Sequence, residues 1–371
     1  MSQLNKVQDP RSDGPGIFRD MDPVARRNAL RFRRRGFAQA PRLRYNEAVK
    51  TRREEMKGGV PMAHFKPGSC IRIGGEQILV DALLGSGGQA DVYRVLNLDR
   101  KCFQAMKHLY GFYVDDRPTF YRKVQVLAKY RDQPLHPDLV WPEAVSELDE
   151  TTESFCYLME LLLPGYENVA PIMKNPDRIP FAQRKELCIR LADIFSAIHG
   201  QGYIYTDISA TNIFFCIDGD GGVRLKVIDC DNISLEGKSM GLKGTGLFRA
   251  PEILTERSLP TIQSDLHALA VAVFRMLVGC HPLEGSRTRS EAFTPENIVK
   301  FFGEEPEYIF SARGGNPPYR GEFTERFLEL GEAMQMYFQL MFSPTRLAGN
   351  GKRPSAETLK LVLQQCRDRR N

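Results

Sequence analysis

A chain of 371 residues with 42% hydrophobic side chains and 22 phenylalanines can bury a sizeable core in one large two-lobed domain or two modest ones, which excludes disorder throughout. It has no run of about eighteen apolar residues, so no membrane-spanning helix is expected, and its polar N-terminal stretch lacks the apolar segment and cleavage site of a secretory signal. The net charge of +5 is uneven: residues 1–57 hold 15 Lys and Arg against 7 Asp and Glu, and the rest of the chain carries a deficit of three.

Residues 1–65 form a basic leader, with Arg26-Arg27 and Arg31-Phe32-Arg33-Arg34-Arg35 and few periodic apolar positions. Two readings stay open: a solvated, partly disordered tail, or an arm that contacts an acidic partner, nucleic acid or anionic membrane. No nucleic-acid-binding fold signature accompanies the run. Asp20, Asp22, Glu47, Glu54 and Glu55 argue against an organellar transit peptide. From Cys70 the texture changes. Ile71-Arg72-Ile73, Ile78-Leu79-Val80, Val92-Tyr93-Arg94-Val95 and Phe103-Gln104-Ala105-Met106 read as short strands between glycine and polar turns. A helix is expected after Phe120 through Val124, Leu127 and Ala128, then a strand over Phe155–Met159. From Phe181 helices dominate, starting with a face of Leu187, Leu191, Ile194, Phe195 and Ile198. A pair of short strands lies around Asn212 to Ile228, and further helices around Phe327 to Met341. Strands first and helices later predict an α+β fold in two lobes. The eight cysteines lack zinc or CxxC spacing; Cys188 and Cys216 read as reduced core thiols, which points to a reducing cytoplasm.

Chemistry concentrates in a few segments. Leu84-Gly85-Ser86-Gly87-Gly88-Gln89-Ala90 lies between two strands, not between a strand and a helix. That context disfavours a dinucleotide fold and suits a β-hairpin flap whose glycines let backbone amides approach phosphate oxygens. Lys107 closes the next strand, where an ammonium can clamp phosphates as a point charge. Val92 and Ala105 leave room above a purine ring, Phe214 would close from below, and Met159, Glu160 and Leu162 lie on the segment that would meet its edge. Tyr205-Thr206-Asp207-Ile208-Ser209-Ala210-Thr211-Asn212 sets an Asp five residues before an Asn, and Asp229 ends the run Leu225-Lys226-Val227-Ile228. Phosphoryl transfer from a metal-bound nucleotide needs those groups: one carboxylate for the acceptor hydroxyl (Asp207), and an amide and a second carboxylate for the metal (Asn212 and Asp229).

Gly244-Thr245-Gly246-Leu247-Phe248-Arg249-Ala250-Pro251-Glu252 resembles the G-T-x-x-[YF]-x-A-P-E segment of eukaryotic-like protein kinases, where the Thr contacts the catalytic Asp and the segment seats a peptide. Asp265, in Gln263-Ser264-Asp265-Leu266, resembles the helix Asp that braces the catalytic loop, and Arg353 the late Arg that pairs with the A-P-E Glu, here Glu252. The motifs occur in family order over roughly residues 75–366. Asp229-Cys230-Asp231-Asn232, Gly241 through Ile253 and His281-Pro282-Leu283-Glu284-Gly285 look like a bacterial branch of stand-alone Ser/Thr kinases, often found with a von Willebrand A-type protein and a PP2C-type phosphatase. The resemblance implies a bilobal kinase-like domain over 66–371, with a β-rich N-lobe at 66–162 and a mainly helical C-lobe at 163–371. It implies ATP with Mg²⁺, or Mn²⁺ in its place, protein substrates and autophosphorylation.

The chain departs from the pattern in several places. No Glu occurs between Lys107 and Trp141, although the family pairs that Lys with a Glu on the first helix; Lys123 or Gln125 falls near that place, and Asp115 and Asp116 precede the helix. Tyr205-Thr206 replaces His-Arg, which removes the dock for a phosphorylated activation loop. The chain is therefore expected not to be switched on by phosphorylation at Ser234, Ser239 or Thr245. Ser209 replaces a Lys, Asp231 a Gly and Ala90 the third Gly of the flap. A nucleotide-binding pseudokinase, and a kinase-fold enzyme acting on a small molecule or transferring AMP, are the alternatives.

Overall fold

The computed structural model describes residues 65–110, 116–238 and 244–366; the leader to residue 64, Asp115, Ser239 and Gly241 lie outside them. The described chain divides into two units, one running to Asp132 and including Pro142–Leu161, the other comprising Gln133–Trp141 and everything from Leu162.

In the first unit, alternation of β-branched and polar residues between glycine turns produces strands. β1 (Cys70–Ile73) turns at Gly74 and Gly75 into β2 (Glu76–Ser86), followed by β3 (Ala90–Asn97), β4 (Cys102–Leu109), β5 (Ala144–Val145) and β6 (Phe155–Met159). They form one antiparallel sheet in the order β1-β2-β3-β4-β6-β5. The sheet curls until its ends approach: a methyl group on Gly74 (φ +58°) would stand 2.9 Å from the Ala144 side chain. The enclosed face carries Ile73, Ile78, Val80, Tyr93, Val95, Met106, Cys156 and Leu158, all buried. A polar network lies beside them. Arg100 bridges Glu76 and Glu143 at 2.8 Å each, and the Asn97 and Gln104 amides bond the same two carboxylates and each other, so both carboxylates are paired. α1 (Arg117–Lys129) begins earlier than the apolar pattern alone suggests. The Asp116 side chain caps it by accepting from the Thr119 amide, and a proline sits in its first turn. Phe120, Val124 and Leu127 face inward.

The second unit is mainly helical. β7 (Glu167–Asn168), α2 (Ala170–Lys174) and α3 (Phe181–Gly200) lead to β8 (Tyr203–Ile204), β9 (Ile213–Ile217), β10 (Val223–Val227) and β11 (Ser234–Leu235). The expected stripe of Leu187, Leu191, Ile194, Phe195 and Ile198 on α3 is wholly buried. α4 (Pro251–Leu254) precedes α5 (Ile262–Val278), the central helix, which starts at a reciprocal Thr261/Ser264 capping box and is buried on all sides from Ser264 onward except at Arg275. α6 (Ser286–Arg289), α7 (Pro295–Val299), α8 (Gly321–Glu329), α9 (Glu332–Met341), α10 (Pro344–Leu347) and α11 (Ala356–Gln365) complete the unit. Phe274 of α5 anchors an aromatic cluster, with Phe338 edge-on at 4.9 Å and Tyr308 at 6.0 Å. All eight cysteines are free thiols. Cys188 is a core residue, whereas Cys216 on the short β9 is only half-buried. Burial pushes the Cys156 thiol up to about 12, so it is inert as a nucleophile.

Candidate active site

The loop after β8 owes its shape to one buried acid. Asp265, in the first turn of α5, accepts from the Tyr205 amide at 2.6 Å and the Thr206 amide at 3.0 Å, and faces His199 Nε2 at 3.3 Å. Thr206 is thereby held at φ +72°, an uncommon conformation for a β-branched residue that the two amide bonds sustain. Asp207 follows. The Asn212 Nδ2 donates to both its backbone carbonyl and its Oδ2 at 3.0 Å, and the Thr245 hydroxyl donates to its Oδ1 at 2.6 Å. Each carboxylate oxygen accepts one bond, which fixes the side-chain rotor. Asn212 has committed its amide nitrogen to Asp207, so its Oδ1 remains for a cation.

Asp229 is tied to the same loop through its neighbour. The Ile228 amide donates to the Asn212 carbonyl at 3.0 Å, and the Ile228 carbonyl accepts the hydroxyl of Tyr205. β10 ends at Val227, and Asp229 turns the chain with φ +58° and ψ +42°. Tyr205 is fully buried; burial, and then the negative charges of Asp229, Asp207 and Asp231, push its phenol well above the ordinary range. The hydroxyl therefore stays protonated and donates. Tyr205 and Asn212 thus both bond Ile228 in the second unit and hold the chain at Asp229 beside the Asp207 loop; Asp231, two residues on, is buried.

The segment after Gly244 closes over this loop. Gly244 has φ +75°, and a Cβ there would stand 2.4 Å from the Thr206 carbonyl oxygen, so only glycine allows that approach. A small cavity opens beside the loop, lined by Thr206, Thr245, Phe248, Arg249 and Asp265 among others. Arg353 grips Glu252 with two bonds, 2.5 and 2.9 Å, and also donates to the Gln263 and Arg346 carbonyls.

The first unit carries the rest. In the β2–β3 hairpin Gly85 pairs with Val92 and Ser86 with Asp91, and the Gly87 amide closes the turn on Ala90 O at 2.9 Å. A Cβ on Gly85 or Gly88 would meet nothing within 4 Å, so the hairpin's own packing does not require those glycines. Lys107 lies opposite Val92 on β3 and Tyr157 on β6; it is buried, with its ammonium 5.9 Å from the Tyr157 ring centroid. Ala105 and Met159 pair across β4 and β6, both buried, and Glu160 next to them is exposed. Leu162 and the half-buried Phe214 on β9 belong to the second unit. α1 holds no acid. Lys123 occupies its buried face with the ammonium 4.5 Å over the Phe120 ring, while Gln125 is half-exposed.

A match to the family described as the protein kinase domain covers residues 79–324. The chain belongs to the protein kinase family. The chain is 27% identical over 219 residues to the DNA damage-responsive serine/threonine-protein kinase RqkA of Deinococcus radiodurans, covering 56% of this chain and 31% of that one. It is 24% identical over 222 residues to the probable serine/threonine-protein kinase PknB of Corynebacterium glutamicum, covering 58% and 33%. It is also 26% identical over 176 residues to the CBL-interacting protein kinase 4 of rice, covering 46% and 36%. The chain spans about a third of the length of these curated relatives.

Two residues of the site escaped sequence reasoning. Tyr205 was noted only as a replacement, yet its hydroxyl ties the Asp207 loop to the Asp229 strand. Asp91, 1% exposed, accepts from the Tyr110 hydroxyl at 2.7 Å and the Tyr93 hydroxyl at 3.1 Å and binds Ser86 of the glycine hairpin. Burial pushes its carboxyl up, and the bonds from Ser86, Tyr110 and Tyr93 together outweigh that and hold it below the ordinary range. A lone acid among apolar strand residues was its only signal.

Proposed function

We propose that this chain is an active protein serine/threonine kinase that transfers the γ-phosphoryl group of MgATP to hydroxyls of protein substrates and to itself. The observation that carries the reading is the Asp207 carboxylate, held by Asn212 on one oxygen and Thr245 on the other. A carboxylate so fixed accepts the acceptor's proton as the hydroxyl attacks phosphorus. Gly85, Ser86, Gly87, Gly88 and Ala90 would present amides to the phosphates and Lys107 its ammonium. Val92, Ala105, Met159, Glu160, Leu162 and Phe214 would take the base.

The donors suit a hard cation: Asn212 Oδ1 and the Asp229 carboxylate are oxygen ligands. Two such ligands suit Mg²⁺, which arrives with phosphates and keeps several waters. Asn212 and Asp229 would hold the ion, which would supply charge neutralisation for the phosphates. Asp231 adds a second carboxylate nearby and is expected to raise the demand for metal, Mn²⁺ serving in place of Mg²⁺.

Tyr205-Thr206 before Asp207 supports activity that does not wait on phosphorylation of the activation segment. Ser234 is buried, and the Thr245 hydroxyl is engaged by Asp207. Among the described residues no helix is long and apolar enough to cross a membrane; a cytoplasmic site of action rests on the free thiols, and a von Willebrand A-type protein and a PP2C-type phosphatase as partners on the family likeness. The leader's surplus of eight positive charges suits an acidic partner.

One observation favours the pseudokinase reading: α1 offers a lysine where an acid would orient Lys107. Mass spectrometry of the chain after incubation with MgATP discriminates. Added phosphate on Ser or Thr supports the kinase, added AMP an adenylyl transferase, and no addition with Mg²⁺-dependent ATP binding a pseudokinase. Asp229→Ala should abolish the added phosphate while leaving the circular-dichroism spectrum unchanged; a variant that still autophosphorylates refutes the metal assignment.

A further inference from the structure

The H-P-L-E-G run after α5 takes no part in the chemistry above, yet it reaches the segment proposed to seat the substrate. His281 is 2% exposed. Its Nδ1 lies 3.1 Å from the Leu283 amide, and its Nε2 lies 2.8 Å from the Leu247 carbonyl. A backbone amide can only donate, so Nδ1 accepts, and the ring's hydrogen sits on Nε2 and is donated to Leu247. Burial, with Arg275 beside it, drives the imidazolium well below its ordinary range, so the neutral ring with this tautomer persists at neutral pH. Phe302 packs edge-on at 5.0 Å and fixes the ring plane.

Leu247 lies in the 3-10 turn Gly246–Phe248. That turn closes on Thr245 O and Gly246 O, which leaves the Leu247 carbonyl for His281. The next residue is held as well: the Arg275 guanidinium lies 5.2 Å over the buried Phe248 ring. Arg249 then folds back, its Nε donating to Gly244 O at 2.6 Å. The turn is thus tied to α5 and to the loop that follows it, with no phosphate among its anchors.

We propose that His281 is a positioning residue for the protein substrate: its bond to Leu247 sets the backbone of the Gly244–Glu252 segment and so the affinity for the acceptor chain. The proposal rests on the reading of that segment as the substrate seat, and its test separates the two. His281→Phe keeps a ring against Phe302 and removes the donor, while His281→Gln restores a donor. Hydrogen exchange in the peptide spanning residues 244–254 and steady-state kinetics with dephosphorylated casein are measured on the full chain. One hydrogen bond is worth about a tenfold change. His281→Phe should speed exchange in that peptide about tenfold and raise KM for casein about tenfold, leaving KM for ATP within about twofold, and His281→Gln should reverse much of each. Unchanged exchange in His281→Phe overturns the proposal whether or not casein is a substrate. An equal loss in KM for ATP and casein also overturns it, because the role is then general stability. Faster exchange with an unaltered casein KM overturns the link to substrate. A wild-type chain that transfers no phosphate to casein or itself refutes the kinase reading; the exchange result then still decides whether His281 holds the turn.

Discussion

The Arg353–Glu252 pair lends itself to a quantitative test. The Arg353 side chain is 2% exposed and donates four hydrogen bonds, two to Glu252 and one each to the Gln263 and Arg346 carbonyls. Arg353→Met leaves the Glu252 carboxylate, on a side chain 11% exposed, without its cation. Breaking a buried pair from one side costs about 3–5 kcal/mol, a large share of the roughly 5–15 kcal/mol that holds a domain folded. For a unit of this size the melting temperature should fall by about 6–20 °C. Trp141 is the only tryptophan, is 4% exposed and belongs to the same unit as the pair. Its fluorescence therefore reports urea unfolding of that unit, and the midpoint should drop with the slope unchanged. The double variant Glu252→Gln with Arg353→Met removes both charges and should recover more than half of the loss. A single-variant loss under about 1 kcal/mol would show that the pair is solvated and refute the burial argument.

Other consequences are as direct. Tyr205→Phe keeps the buried ring edge-on to Phe195 at 5.7 Å and removes the bond to Ile228 O; kcat should fall about tenfold with the fold intact, and an unaltered kcat would sink the coupling of the two loops. Asp91→Ala strands the Tyr93 and Tyr110 hydroxyls beneath the glycine hairpin; Kd for ATP should rise about tenfold, and Asp91→Asn should recover part of it, as titration calorimetry with ATP would report; an unchanged Kd would refute the role. His267 and His281 are buried, and burial pushes both imidazoliums well below the ordinary range. The unfolded state therefore binds more protons below about pH 6.5, so stability is complete above that pH and falls on acidification by about 1.4 kcal/mol per pH unit for each ring. His267→Phe, whose ring would lie against Phe342 as the imidazole does at 5.6 Å, should roughly halve that slope in urea titrations at pH 5–6.5; a slope that does not change would refute it.

The Tyr205–Asn212 loop was legible as a candidate because its pattern is local: Asp207, Asn212 and the nearby Asp229 stand out by spacing, and glycines between alternating strands mark a hairpin. The strand and helix order followed from periodicity, and the lobes from that order. What escaped was non-local or depended on substituted residue types. Asp91 gains meaning only when Tyr110, nineteen positions on and one strand over, bends its hydroxyl back to it. Tyr205 does its work through a carbonyl 23 residues away. The bond from His281 to Leu247 crosses 34 positions, and no periodicity encodes a side chain meeting a backbone oxygen at that range. Gln133–Trp141 reads as part of the first lobe by order, yet joins the second unit, where the Val140 amide and Asp138 carbonyl pair with Val227.

β1 has a consequence for how fragments of this protein will behave. The strand that leads into the glycine hairpin would otherwise expose an unpaired row of amides and carbonyls bearing Ile78 and Val80, the sort of rim on which chains stack into aggregates. Residues 70–73 occupy that rim. A version trimmed to begin just after Gly75 would lose its guard and should precipitate, or associate with copies of itself, at concentrations the longer chain tolerates.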